Sequence, residues 1–274
     1  MTKTKHRAKP DYKAIFISDV HLGSKGCQAD ALCSFLKTHN SEQLYLVGDI
    51  IDGWRMKKKW FWPQSHTNVI RRILTAAKRG TDVHLIAGNH DEFLRAFMRF
   101  DISFGAIKIS NRRVHDGIDG KRYLVTHGDM FDGLMRSDRR WIMYLGDNLY
   151  NFLIWLNVKF NWVRGRLGLP YWSLSKFLKT RTKKALNFIS SFEDTVADYC
   201  RRKGFDGAIC GHIHVAEIRD IDGIAYMNDG AWVESCTALV EHWDGRWELL
   251  EYEPASETVV PLIGKADVKL LPAA

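Results

Sequence analysis

Five short polar segments stand at the ends of apolar runs, and they constrain the fold more than any other feature of the chain. Asp19-Val20-His21 follows Ala14–Ser18, Gly48-Asp49-Ile50-Ile51-Asp52 follows Leu44–Val47, and Gly88-Asn89-His90-Asp91 follows Val83–Ala87. His127-Gly128 follows Tyr123–Thr126, and Gly211-His212-Ile213-His214 follows Gly207–Cys210. Each run is short and apolar, which suits a buried strand. Helical patterns lie between the first of them. One carries Ala31, Leu32, Phe35 and Leu36; another spans His66–Arg79, with Val69, Ile70, Ile73, Leu74 and Ala77 on one face and Gly80 as its stop. This alternation predicts an α/β fold with helices outside the sheet. Strand C-termini of such a sheet converge on one crevice, so the His, Asp and Asn side chains of the five segments are expected to meet there.

The donor set is imidazole, carboxylate and amide, without thiolate. It suits Mn²⁺, Fe or Zn²⁺ and excludes a structural zinc held by four cysteines. The segments offer more donors than one ion takes from protein, and a carboxylate can bridge, so two divalent ions are expected, Mn²⁺ first among the candidates. Two such ions polarise a phosphate and lower the pKa of water, and an imidazole outside the ligand set, His90, is placed to protonate the leaving oxygen.

Charge is the second constraint. Over 274 residues the net charge is +8, which by itself points to nucleic acid or an anionic surface. Between Arg136 and Lys184, however, eleven Lys or Arg face only Asp138 and Asp147, a local excess of +9 that leaves the remainder at −1. The same segment holds ten aromatics, among them Trp141, Tyr150, Trp155, Trp162 and Trp172. Trp141, Leu145, Leu149, Phe152, Leu153 and Leu156 recur at helical steps, and Ser173 is a candidate cap for a helix reaching about Lys203. No run approaches a membrane span; Trp141–Val163 is broken by Asp147, Asn148, Asn151, Asn157 and Lys159. Five cysteines without a Cys-x-x-Cys pair, and a start without an apolar secretory core, lead to the expectation of a reducing, cytoplasmic setting. After His214 the chain reads as strands Ile218–Ile221, Ile224–Met227, Ala238–His242 and Trp247–Tyr252, separated by Asp-Gly turns.

The order D-x-H, G-D-x-x-D, G-N-H-D, H-G, G-H-x-H resembles the calcineurin-like metallophosphoesterase superfamily. That resemblance implies an α/β fold of two facing mixed β-sheets flanked by helices, a four-layer αββα sandwich. It implies that Asp19, His21, Asp49 and His214 hold one metal and that Asn89, His127 and His212 join Asp49 at the other, with Asp49 bridging. His90 would be the proton donor, and Asp52 or Asp91 its orienting partner. Within the superfamily the chain is similar to the bacterial UDP-2,3-diacylglucosamine hydrolases and their paralogues, by its length, by Thr126-His127-Gly128-Asp129, and by a helical insertion between His127 and His212. In those enzymes the insertion caps the site and receives acyl chains. The best-established of those enzymes carry Arg where this chain has His90, and they lack the Gly48–Asp52 pattern. The chain thus reads as a paralogue with the same or a related substrate.

The expected organisation is a basic tail over 1–13, a catalytic domain over 14–134 and 205–255, a basic and aromatic cap over 135–204, and a C-terminal tail over 256–274. Candidate substrate contacts are Arg55, Trp60, Arg136, Arg139, Arg140, Lys179 and Lys183, serving an amphiphilic phosphate-containing substrate at the anionic inner face of a membrane. For each the plain reading is a solvated cation or a packed ring: Arg55 as a partner of Asp52, Trp60-Phe61-Trp62 as a packed loop. His84, His115 and His242 read as ordinary strand or turn residues, and Asp129 and Asp132 as supporting groups. Two rivals stand beside the lipid phosphohydrolase: a phosphodiesterase for nucleotides or nucleic acid, and a non-catalytic lipid-binding protein that retains the site.

Overall fold

The computed structural model describes residues 11–96, 98, 103–104, 107–133, 160–162, 164, 166, 183–254, 256 and 258–262. One sheet contains β1 (Tyr12–Ile17), β2 (Ser41–Val47), β3 (Asp82–Ile86), β4 (Ser103–Phe104), β5 (Ile107–Ser110), β11 (Thr237–Glu241), β12 (Trp247–Glu253) and β13 (Thr258–Pro261), in the order β13-β12-β11-β1-β2-β3-β5-β4. The other contains β6 (Arg112–Asp116), β7 (Arg122–Thr126), β8 (Gly207–Cys210), β9 (Glu217–Ile221) and β10 (Ile224–Asn228), in the order β6-β7-β8-β10-β9. Both sheets are mixed. β1, β2, β3 and β5 run parallel in the first, and β7, β8 and β10 in the second, with antiparallel strands toward the edges. Helices α1 (Ala29–Thr38), α2 (Gly53–Lys58) and α3 (Gln64–Lys78) follow the first two strands, and α4 (Lys183–Lys203) precedes β8.

Strand parity explains why two sheets face each other. Alternate residues of a strand point to opposite faces, and here both faces are apolar. Ile15, Ile17, Leu44 and Leu46 pack with Leu32 and Phe35 of α1 and Val69 and Ile73 of α3. Their neighbours Ala14, Phe16, Tyr45 and Val47 pack instead with Tyr123, Val125, Ile209 and Met227 of the second sheet. The second sheet repeats the scheme outward, where Leu124, Ala208, Cys210 and Tyr226 meet Phe192, Val196 and Cys200 of α4. The result is four layers, helix–sheet–sheet–helix. A one-residue slip in any central strand would exchange its two apolar faces and mismatch both cores.

The strands that the sequence pattern does not announce, β4, β5, β6 and β13, lie at or next to sheet edges. There one side of the strand meets solvent, so Lys108, Arg112 and Arg113 interrupt the apolar run. β13 lies within the stretch expected to be a C-terminal tail, and β1 begins at Tyr12, within the expected basic tail. The helix anticipated from Ser173 is described from Lys183 onward; 173–182 lie outside the described residues. At the end of the sandwich where the parallel strands begin, His115 is buried, its Nε2 2.8 Å from Glu241 Oε2. No described helix is long and apolar enough to cross a membrane.

His84 on β3 is 1% exposed and stacks on Tyr45 with ring centroids 4.6 Å apart. Burial first, then the Arg113 charge, pushes its imidazole down to about 4, against the pull of Asp82. The folded state therefore holds His84 neutral, and its contribution to stability is present above the unfolded value near 6.5 and lost as pH falls toward 4. Replacing His84 with Gln is expected to flatten the profile of urea-unfolding free energy against pH between those limits, removing up to about 3 kcal/mol of its change.

Candidate metal centre

All five motif segments leave the C-terminal ends of parallel strands, β1, β2, β3, β7 and β8, and so emerge at one edge of the sandwich. The loops after β1 and β2 run side by side: Asp19 N–H donates to Gly48 O, His21 N–H to Asp49 O at 2.9 Å, and Asp52 N–H to Leu22 O at 2.8 Å. The second sheet closes the edge, with His212 N–H donating to Asp19 Oδ2 at 2.9 Å. The turns are strained. Among the described residues, seven that are not glycine have left-handed backbone, and five of those are Asp19, His21, Asp49, His212 and His214, with φ from 50° to 69°. The flanking glycines are required by crowding. A Cβ on Gly48 would strike the His127 ring, one on Gly88 would strike Asp49 Oδ1, and one on Gly211 would strike Ser18 Oγ.

Three groups of potential ligand atoms converge within 4.8 Å: Asp19, His21 and His214; His21, Asp49 and His90; and Asp19, Asp49 and His127. His214 Nε2 lies 2.8 Å from Asp19 Oδ1, and His21 Nε2 lies 3.7 Å from the same oxygen and 3.8 Å from Asp49 Oδ2. On the other side, His127 Nδ1–H donates to Val47 O at 2.9 Å, which leaves Nε2 with its lone pair. That lone pair faces Asn89 Oδ1 at 3.2 Å and Asp49 Oδ1 at 3.4 Å. Three acceptors aimed at one point need a cation between them. Among the described residues neither Asp19 Oδ1 nor His21 Nε2, both buried, finds a hydrogen bond of good geometry, although His214 Nε2 lies close to the former. Leaving buried polar atoms unpaired is costly, and a divalent ion accepting both lone pairs removes the cost, so these residues fit a metal.

The electrostatics say the same. Burial opposes ionisation of Asp19, yet the neighbouring His214 and His127 hold it well below the ordinary carboxylate range. Burial opposes it at Asp49 too, and His127 again prevails. Conversely, burial disfavours charge on His21, but Asp19 and Asp52 raise it to about 10, and Asp49 and Asp19 raise His127 well above its usual value. On its own charges the cluster draws protons onto its imidazoles; a divalent ion in their place supplies the same positive charge and takes up the imidazole lone pairs.

His90 stands apart from the other imidazoles. Its side chain is 23% exposed, whereas those of His21, His127 and His214 are 9% or less. Its Nδ1 is 3.0 Å from Asp52 Oδ1, its Nε2 is 3.9 Å from Asp49 Oδ2, and the Trp54 indole covers its ring at 4.4 Å. Asp52 caps α2 by accepting from Arg55 N–H at 2.9 Å, so the start of that helix fixes the carboxylate. Asp91 takes another part: it accepts from Ile50 N–H and Gly88 N–H and ties the second and third loops together. Burial and the nearby Asp49 charge raise Asp91 to about 6. His212 joins none of the three groups; its Nε2 is held 3.0 Å from Asp132, and its ring packs 5.1 Å from that of His127. A carboxylate on one nitrogen is a common way to orient an imidazole that ligates through the other. Asp129 pairs with Arg95 at 2.7 Å.

Arg55 Nε lies 3.4 Å from Asp52 Oδ2 with its side chain 41% exposed, and Trp60 is 69% exposed beyond the end of α2. Arg136, Arg139, Arg140 and Lys179 lie outside the described residues, as does the side chain of Lys183. Sequence reasoning missed a sixth contributor. β10 runs parallel to β8 and ends at the same edge, where the side chain of Asp229 reaches Ser18 Oγ behind Asp19, and Glu234 Oε1 then lies 3.7 Å from His214 Nδ1. The signal was present in Asn228-Asp229-Gly230 at a strand end, but an Asp-Gly pair reads first as a hairpin turn.

A sequence profile of calcineurin-like phosphoesterases matches residues 12–216, which contain every ligand candidate named above. The chain belongs to that family. As a calcineurin-like phosphoesterase it is a metal-dependent hydrolase of phosphate bonds, and its cofactors are divalent ions. Among similar proteins is a UDP-2,3-diacylglucosamine hydrolase of Porphyromonas gingivalis, 24% identical over 265 residues, covering 87% of this chain and 97% of that one. Another, from Neisseria meningitidis serogroup B, is 27% identical over 231 residues, covering 82% and 90%. Of solved structures, the Escherichia coli phosphoesterase Yfce aligns with a TM-score of 0.44 at 12% identity, covering 90% of this chain and 96% of that chain.

Replacing Gly88 with Ala places a methyl group against Asp49 Oδ1. Metal analysis of the purified variant is expected to show loss of most bound divalent ion, with far-UV circular dichroism unchanged.

Proposed function

We propose that this phosphoesterase hydrolyses a phosphoanhydride or phosphoester bond in a lipid-linked substrate such as UDP-2,3-diacylglucosamine, using two divalent ions, with Mn²⁺ the preferred metal. Asp19, His21, Asp49 and His214 hold one ion; Asn89, His127 and His212 join Asp49 at the other. When bound, the ions supply Lewis-acid polarisation of phosphate oxygens and a lowered pKa for a water molecule.

The observation that carries the reading is the placement of His90. Its Nδ1–H donates to Asp52 Oδ1 at 3.0 Å, which leaves Nε2 directed at the ligand cluster, 3.9 Å from Asp49 Oδ2. Asp52 is held by the helix cap, so it fixes the orientation of the imidazole. His90 then gives its proton to the oxygen that leaves phosphorus, and its partial exposure lets it recover that proton from solvent. Arg55, beside Asp52, is proposed to bind a phosphate oxygen. For the lipid-linked substrate the support is of two kinds: the names of the similar proteins, and a segment of charge +9 rich in aromatics, with Arg136, Arg139, Arg140, Lys179 and Lys183 as proposed headgroup contacts. The proposed setting is the cytoplasmic face of a membrane, held peripherally.

An assay with Mn²⁺ on UDP-2,3-diacylglucosamine, run beside nucleotide diesters, tests the assignment; the lipid-linked compound is expected to be turned over faster, and the reverse order would assign a nucleotide phosphodiesterase. Replacing His90 with Ala is expected to lower kcat by roughly 10²–10⁴ with metal content unchanged, since only a proton transfer is removed. Replacing Asp49 with Ala is expected to abolish metal binding and turnover together; retained stoichiometric metal would remove Asp49 from the bridging position.

A further inference from the structure

The chain leaves the metal centre along α2, which begins at its Asp52 cap and ends at Lys58. At a rise of about 1.5 Å per residue, Lys58 lies roughly 9 Å along the helix from that carboxylate. There Lys57, Lys58, Lys59 and Trp60 are all exposed, and among the described residues none of the three lysines has an ion-pair partner. The next two aromatics turn inward. Trp62 Nε1–H donates to Thr67 Oγ1 at 3.1 Å, and the rings of Phe61 and Trp62 stand edge-on to His66 at 5.7 and 5.5 Å. His66 in turn accepts from Gly23 N–H at 2.9 Å, two residues beyond His21. The segment is thus pinned on one side and presents a single indole, 69% exposed, on the other.

We propose that Lys57, Lys58, Lys59 and Trp60 form a docking edge for an anionic lipid bilayer, placing the metal centre at the surface where a lipid-linked substrate resides. This rests on the substrate class proposed above. Charge and shape favour this occupant. A run of unpaired ammonium groups is complementary to a sheet of anionic headgroups, and each Lys near such a surface strengthens binding by about fivefold. An indole settles at the boundary of headgroup and acyl chain, where its ring is dry and its N–H is wet. A single-stranded polyanion would call for successive exposed rings on which to stack bases, and here Trp60 alone of the three is exposed, Phe61 and Trp62 being half-buried beside His66. The pinning matters as much as the charge, because a segment already held at Trp62 and His66 presents the Trp60 indole without first being ordered.

Co-sedimentation of the full chain with vesicles of phosphatidylcholine, alone or containing phosphatidylglycerol, tests the proposal. The parent is expected to bind the anionic vesicles, with binding that falls as salt rises. The triple substitution K57E/K58E/K59E is expected to weaken that binding by on the order of a hundredfold. Trp60→Ala is expected to weaken it about tenfold with the salt dependence kept. Hydrolysis of a small soluble chromogenic diester by the triple variant is expected to match the parent, which shows that the variant is folded. Less than a threefold loss in the triple variant, or equal binding of the parent to both vesicle types, overturns the docking edge. If the parent docks through this edge but leaves UDP-2,3-diacylglucosamine in detergent intact, the substrate assignment fails and the docking edge stands.

Discussion

Asp19 and Asp49 sit almost wholly buried at adjoining strand ends, and the interior tolerates them only with positive charge between them. Most features of the site edge follow from that demand. Imidazoles from both sheets are drawn in around the carboxylates, and His127 is turned by Val47 O so that it offers a lone pair. Backbone N–H groups of His90 and His212 are spent on the carboxylate oxygens. The left-handed turns at five donor residues are a cost borne because no relaxed loop would aim these side chains at one point.

The rest of the sandwich serves to hold that point. Two sheets with apolar faces on both sides make a rigid interior, and the parallel strands deliver their ends to a common edge. Precision comes from close approach: glycines at 48, 88 and 211 let backbone pass within contact distance of the donor side chains. Asp52 joins fold and chemistry most directly, since it caps α2, contacts His21 at 3.5 Å and holds His90 at 3.0 Å.

Much of this was legible in the sequence because strand ends, glycines and ligand residues coincide. Asp19, His21, Asp49, Asn89, His127 and His214 come together where the strand pattern places them. The central strands were legible from continuous apolar runs, whereas β5, β6 and β13 were not, because proximity to an edge admits Lys and Arg into the run. Asp229 and Glu234 were hidden for a different reason. Their importance lies in what stands behind Asp19 and His214, and contacts 211 and 20 residues away in sequence leave no local pattern. The resemblance implies His212 as a ligand and the sequence marks Asp132 only as a supporting group; that Asp132 supports His212 through Nε2 is a contact between residues 80 apart and leaves no local pattern.

The proposed donors are divided between the sheets: Asp19, His21, Asp49 and Asn89 come from the first, His127, His212 and His214 from the second. An ion bound among them is therefore a further cross-link between two layers that meet through apolar packing and through hydrogen bonds such as His127 to Val47 O and His115 to Glu241. Neither half of the sandwich carries the whole donor set, so a chain still assembling presents only a partial chelate. The ion's affinity is then added to the cohesion of the two sheets. Chelation should loosen the seam between the sheets before either sheet unravels, because that seam is where the ion's contribution resides.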